Sequence, residues 1–243
     1  MRKYQNLLEA AKEIERDLWE MGVVVKSEYT QSRFIGSEGN TKEVIVYSYS
    51  LPLFEVVGVF WDKKKLYELF KWIRTDEKYE DLENYLKAEF RDRIVGNVNS
   101  TSHKYRWWYW QQFQDNLGYT YGERLANKLA GIVNILKKAP YTRQAIVAIW
   151  HDHKDWNHIG IERVPCSMYY QFILRQRTGS QKLDMHYVMR SCDFYTHWLF
   201  DVVLAGLFAS AVALKLEVNM GIFHHTIGSL HAYVKDLEKR GIF

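Results

Sequence analysis

Leu7, Leu8, Ala11, Ile14 and Leu18 recur at helical spacing with polar residues between them, which predicts an amphipathic helix that ends near Gly22. Residues 26–42 lose that period and are polar and glycine-containing, as a loop is. EVIVYSYSL is rich in β-branched and aromatic residues with partial alternation and predicts a strand ending at Pro52. Helical period returns in DKKKLYELFKWI and runs on through DEKYEDLENYLKAEF, whose charges suggest a solvated face. An aromatic-rich stretch, HKYRWWYWQQFQDNLGYTYG, leads into one helix, GERLANKLAGIVNILKK, which Pro140 stops. AIVAIW, SMYYQFILRQ and KLDMHYVM are β-rich, and Thr178-Gly179-Ser180 joins the last two as an antiparallel hairpin.

Val202 to Leu214 is continuously apolar and begins beside Asp201. It falls short of the ~20 residues a membrane span needs and reads as a buried helix. The tail GIFHHTIGSLHAYVKDLEKRGIF supplies a strand and a short terminal helix. Neither a repeat nor a linker divides the chain, so residues 1–243 are expected to form one α+β domain, a mostly antiparallel sheet packed on helices.

Composition narrows the function classes. At 47% hydrophobic and 26% charged, with three prolines, the chain has a core to bury, which excludes disorder as its main character. A net charge of +4 is too small to argue for a nucleic-acid partner, although small anions remain open. With only Cys166 and Cys192 there is no disulfide framework, and a reducing compartment fits best. The N-terminus mixes acidic and basic residues among its apolar positions, unlike a signal peptide, so a cytoplasmic protein without a membrane span is expected.

Cys166 follows a proline at the entrance to a strand, with Arg163 three positions before it. Cationic neighbours favour the thiolate, the nucleophilic form; a small buried packing residue is the alternative. Cys192 in MRSCDFY reads as packing. The cluster His151, Asp152, His153 and His158 reads as a polar loop, and no metal is assigned.

VPCSMYYQF, MRSCDFY and GSLHAY, in that order and spacing, resemble the successive signatures of the thymidylate synthase family. LPLF ahead of YELFKWI, Trp107 and Trp110 ahead of LGYTYG, and APYTRQAIVAIW extend the resemblance. It implies a homodimer packed sheet to sheet, with each active site borrowing arginine from its partner. It also implies one-carbon transfer from 5,10-methylenetetrahydrofolate to C5 of a pyrimidine nucleotide, with no metal. On this resemblance Cys166 is the nucleophile that adds to C6, and Glu68 is the carboxylate that moves protons. Arg190 and Ser191 match phosphate positions, Arg143 an arginine given across the dimer, and Arg33 the arginine of a loop over the phosphate. His231 and Tyr233 match the pair on the sugar hydroxyl, Tyr121 a cavity tyrosine, and Asp193, Trp107 and Trp110 the wall around the pterin.

The departures bear on substrate and product. Asp201 stands where thymidylate synthases carry the asparagine that reads uracil, and so resembles the deoxycytidylate hydroxymethylases of bacteriophages. A carboxyl group fits cytosine: protonated, it donates to N3 and accepts from N4; ionised, it stabilises a protonated N3. The alternative is an aspartate that caps the following helix. Ser167 replaces a histidine, Gln144 a second arginine, Met189 a glutamine, and His197 a glycine beside the folate. The chain also ends ten residues after Tyr233, short of the family's closing segment. A less sealed site favours capture of an exocyclic methylene by water. The expected product is therefore 5-hydroxymethyl-deoxycytidylate. A deoxycytidylate methyltransferase that releases dihydrofolate, a thymidylate synthase acting on deoxyuridylate, and a non-catalytic nucleotide- or RNA-binding homologue are the alternatives.

Overall fold

A computed structural model describes residues 1–26, 39–73, 79–95, 121–159, 164–177 and 179–241. The strands are β1 (Arg2–Lys3), β2 (Val23–Val25), β3 (Thr41–Pro52), β4 (Ile146–Ala148), β5 (Ser167–Arg177), β6 (Ser180–Asp193) and β7 (Asn219–Tyr233). The helices are α1 (Leu7–Met21), α2 (Leu53–Trp61), α3 (Lys63–Ile73), α4 (Tyr79–Val95), α5 (Tyr121–Leu125), α6 (Lys128–Lys138), α7 (Asp152–Asp155), α8 (Leu199–Leu216) and α9 (Val234–Lys239). Among the described residues the strands form one sheet in the order β1-β3-β7-β6-β5-β4, with β2 also on β3.

Alternating patterns gave the hairpin correctly. Arg177 pairs with Ser180 across a turn in which Gly179 takes φ +80°, a region open to a residue without Cβ. The sheet as a whole is mixed, because β6 and β7 run parallel, as do β1 and β3. Parallel neighbours need a crossover, and here it is a π-helical turn, Phe194–Trp198, followed by α8. Phe194 to Leu216 is thus continuously helical for 23 residues, longer than the apolar run suggested and long and apolar enough by composition to cross a membrane. Its most apolar window is 72% buried within the fold, under α2, α4 and α6, which makes it the core helix.

The first helix forms as its spacing predicts. The Asn6 side chain accepts from the Glu9 amide at 2.9 Å, and Leu7, Ala10, Ala11, Ile14 and Leu18 are buried. Two local expectations change, at the helix after residue 120 and on α4, while the strand end at Pro52 and the helix over YELFKWI stand as predicted. The single helix after residue 120 is broken between α5 and α6, where Asn127 takes φ +62°, a conformation asparagine tolerates. LPLF ends β3 and opens α2, and YELFKWI lies on α3, whose start Asp62 caps through the Lys64 and Lys65 amides. α4 has a solvated side, where Lys87 and Arg91 are exposed, but part of its charge is buried: Glu89, Asp92 and Arg93 are each at most 3% exposed.

β6 and β7 approach closely at Gly228, where an added Cβ would lie 2.6 Å from the Arg190 carbonyl oxygen. Backbone cannot step aside as a side-chain tip can. Gly228→Ala is therefore expected to lower stability by about 2 kcal/mol and displace Arg190. Urea unfolding checks this, and an unchanged midpoint would contradict the close packing.

Candidate active site

The N-terminal end of β5 meets the C-terminal ends of β6 and β7. Pro165 and Cys166 lead into β5, and the Arg190 amide donates to the Cys166 carbonyl at 2.8 Å, which brings the cysteine beside Arg190 and Ser191. The Cys166 thiol is half-buried. Arg190 Nη2 lies 3.8 Å and Ser191 Oγ 3.7 Å from its sulfur. The arginine is itself held, Nε donating to Pro165 O at 2.9 Å and Nη2 to Val164 O at 3.2 Å. Its residue is nevertheless exposed, so the guanidinium can meet an incoming anion as well as the sulfur. Cys192, by contrast, is buried, and burial pushes its thiol well above the usual range.

Ser167 is a junction. Its hydroxyl lies 2.5 Å from Tyr187 OH and 3.2 Å from Tyr121 OH, and its amide donates to Tyr121 at 3.4 Å. The residue after the cysteine thereby anchors Tyr121, the first residue of α5. On the far side of Tyr121 the Arg93 guanidinium lies 4.4 Å from the ring centroid. Arg93 donates to Tyr170 OH at 3.3 Å, approaches Glu89 at 3.6 Å, and places Nη2 3.9 Å from Asp201 Oδ1.

Asp201 stands in the first turn of α8, only 8% exposed. It is not the N-cap, which is Trp198. Burial pushes its carboxyl up to about 7; Arg93 acts against that shift and Glu89 with it. Burial also pushes Tyr170 up to about 12 and Tyr187 well above its usual value, so both stay neutral.

A third group lies where β6 and β7 end. Asp193 pairs in register with His231, and Asp193 Oδ1 accepts from the Thr196 amide at 3.3 Å, capping the π turn. The His231 and Tyr233 rings meet edge-on at 6.2 Å. Ser229 and Thr41 hydroxyls both donate to Glu43 beneath them.

Cys166 thus contacts Arg190 and Ser191 directly and connects to Tyr121 and Asp201 only through Ser167 and Arg93, while Asp193, His231 and Tyr233 continue the same strand ends. Glu68 is exposed on α3, and among the described residues no hydrogen bond or ion pair joins it to the thiol. Arg143 is exposed ahead of β4, where its carbonyl accepts from Gln171 at 2.8 Å. Arg33, Trp107, Trp110 and Arg163 lie outside the described residues. In the His151 to His158 segment, Asp155 is the organising group: it pairs with Arg124 at 2.5 Å and accepts from the His151 amide at 2.7 Å.

Glu89, Arg93, Tyr170 and Tyr187 were not singled out from sequence. The signal for the first two was their i, i+4 spacing beside Leu86 and Phe90, which puts an ion pair along an apolar helix face.

Residues 12–241 match the family model described as Thymidylate synthase. Relatives include the thymidylate synthase of Saccharomyces cerevisiae, 24% identical over 152 residues, which are 60% of this chain and 49% of that protein. The thymidylate synthase of Mycoplasma genitalium is 28% identical over 137 residues, 53% of this chain and 44% of the relative. That of Listeria monocytogenes is 25% identical over 130 residues, 54% and 38% respectively. The chain therefore spans less than half the length of each of these relatives. The family model, in contrast, runs through β3, the cysteine strand, the core helix and the last strand without leaving an element of the site outside it, and the chain belongs to the thymidylate synthase family.

Proposed function

We propose that the protein transfers a one-carbon unit to C5 of deoxycytidylate and releases 5-hydroxymethyl-deoxycytidylate. The observation that carries this reading is a connected set of side chains that holds a half-buried thiol beside a guanidinium and, through Ser167, Tyr121 and Arg93, the buried Asp201 carboxyl, which the resemblance assigns to reading the base. Methylenetetrahydrofolate supplies the unit at the oxidation level of formaldehyde. A hydroxymethyl product therefore needs no hydride, whereas a methyl product does.

Cys166 adds its sulfur to C6, which moves an electron pair toward C5 and makes that carbon nucleophilic. Arg190 and Ser191 hold the phosphate while lying within 4 Å of the sulfur, so nucleotide binding and nucleophile are positioned together. An ionised Asp201 accepts from N4 and from a protonated N3, which draws electrons from the ring as the sulfur adds. His231 and Tyr233 orient the sugar, and Asp193 and the two tryptophans Trp107 and Trp110 flank the pterin. C5 bonds the one-carbon unit, and Glu68 takes the C5 proton as tetrahydrofolate leaves. Water adds to the resulting exocyclic methylene, and the Cys166 sulfur is expelled from C6 as the C5–C6 double bond re-forms; Glu68→Gln is expected to lower kcat at least ~100-fold. His197, half-buried where the resemblance has glycine, supports access of water to the exocyclic methylene. The active form is a homodimer in which Arg143 reaches the partner's phosphate site.

Anaerobic incubation with methylenetetrahydrofolate and either deoxycytidylate or deoxyuridylate, with mass analysis of the nucleotide and absorbance of dihydrofolate, tests the reading. Hydroxymethyl-deoxycytidylate without dihydrofolate is expected. A methylated nucleotide with stoichiometric dihydrofolate overturns the product assignment, and turnover of deoxyuridylate alone overturns the role of Asp201.

A further inference from the structure

A carboxyl group does not by itself tell cytosine from uracil. In its neutral form it has one donor and one acceptor, and it can pair with N3 and N4 of cytosine or with N3-H and O4 of uracil. The bases differ in what they do with the shared proton: cytosine N3 can take it, and uracil O4 is far too weak a base. Discrimination therefore requires something that makes the carboxyl group reluctant to keep its proton.

We propose that Arg93, carried with Glu89 on α4, is the positioning residue that holds Asp201 in its acceptor form, so that cytosine, which can carry the shared proton on N3, is admitted and uracil is rejected. This rests on the reading of Asp201 as the base-contacting residue and goes beyond it by assigning selectivity to a second residue that does not touch the base.

Three observations support the assignment. Arg93 is 1% exposed and its Nη2 lies 3.9 Å from Asp201 Oδ1, close enough for a strong field in a dry site and too far to occupy the oxygen with a hydrogen bond. The guanidinium is fixed on its other sides by the Tyr121 ring at 4.4 Å, Tyr170 OH at 3.3 Å and Glu89 at 3.6 Å. Tyr121 is in turn bonded to Ser167, next to the nucleophile, so the residue that would set the charge at one edge of the base is registered against the sulfur at the other.

Among the described residues, the charged and titratable groups around Asp201 are few. On α4 they are Arg93 and Glu89; on β5, Tyr170; on β6, Tyr187 and Cys192, the last followed by Asp193. From β7, His225 stacks on Tyr187 at 4.7 Å and is kept neutral by burial. α2 and α6 bury apolar residues: Val56, Val57, Ile132, Val133 and Leu136 among them. Arg93 is the one cation in this set, and Glu89 competes with Asp201 for it. Burial favours the neutral carboxyl and Arg93 the ionised one, so Arg93 is the group that acts toward the acceptor form against the burial that raises the carboxyl.

The test is nuclear magnetic resonance of deoxycytidylate labelled with 15N at N3, bound to the full chain without folate, together with calorimetric affinities for deoxycytidylate and deoxyuridylate. In the wild-type protein the N3 signal should show the shift and one-bond coupling of a protonated nitrogen, with deoxycytidylate bound more tightly. Arg93→Met should return N3 to its unprotonated shift and reduce the deoxycytidylate preference at least tenfold; Arg93→Lys should keep most of both. Glu89→Gln, nearly isosteric and a safeguard if Arg93→Met does not fold, frees Arg93 for Asp201 and should raise the preference at least threefold. An unprotonated N3 in a wild-type protein that still prefers deoxycytidylate, or variants that leave shift and preference unchanged, overturns the role of Arg93 alone. Equal affinity for the two nucleotides in the wild-type protein overturns both this inference and the reading of Asp201.

Discussion

Replacing Cys166 with alanine is expected to reduce turnover by at least about four orders of magnitude while nucleotide affinity changes by no more than a few-fold. The reason for the split is geometric. Arg190, which holds the phosphate in the proposed site, is fixed by the backbone carbonyls of Val164 at 3.2 Å and Pro165 at 2.9 Å, neither of which is a contact of the thiol. Removing the sulfur therefore removes the bond to C6 without removing the anion site. Calorimetry with deoxycytidylate and a product assay on the same preparation give the two numbers. Turnover that survives the substitution would exclude a covalent adduct at this residue. Affinity lost together with turnover would mean that the sulfur holds the loop on which Arg190 rests.

Asp201→Asn is the second large effect. An amide cannot ionise, so it cannot transfer a proton to cytosine N3, but it can accept from uracil N3-H and donate to O4. Specificity, as the ratio of kcat/KM for deoxycytidylate to that for deoxyuridylate, should invert by 100-fold or more, since a mispaired buried donor or acceptor costs about 1–3 kcal/mol and this change mispairs two. The same variant reports on stability. A carboxyl raised from its unfolded value of 3.8 to about 7 binds its proton more tightly in the native state. Its stabilising contribution is complete below pH 4 and is lost as pH rises toward and through 7. The asparagine variant, lacking that loss, should gain stability relative to wild type between pH 4 and pH 8, by about 4 kcal/mol at most. Urea unfolding at the two pH values measures it, and a pH-independent difference would show that the carboxyl is not buried in its charged form.

Much of the candidate cluster was legible because it is carried by short contiguous runs. The cysteine strand, the Arg190 to Asp193 run and the His231 to Tyr233 pair each declare themselves within a few residues, and β6 and β7 only have to bring their ends together. The hairpin and α1 were legible for a similar reason, since a turn glycine and a helical apolar stripe are local signals. The parallel pairing of β6 with β7 was not, because alternation records a buried face and says nothing about strand direction. α4 was misread in part, for a related reason. Glu89 and Arg93 look like more of the wet surface that Lys87 and Arg91 form, until Tyr170, 77 residues beyond Arg93, and Asp201 meet the Arg93 guanidinium. Charges buried against distant partners imitate solvated ones in any local window.

The π-helical turn between Asp193 and α8 has a consequence for how this protein can vary. It widens the backbone just where the chain passes from capping the turn with Asp193 to presenting Asp201, so the angular phase between these two carboxylates depends on the number of residues between them. Adding or removing one residue would rotate Asp201 by about 100° around the helix axis and carry it away from Arg93. Substitutions in this turn leave the phase intact. Descent should therefore have been freer to exchange the half-buried Thr196 and His197 than the buried Phe194, Tyr195 and Trp198, while insertions and deletions there would be purged even when they leave the core helix fully formed.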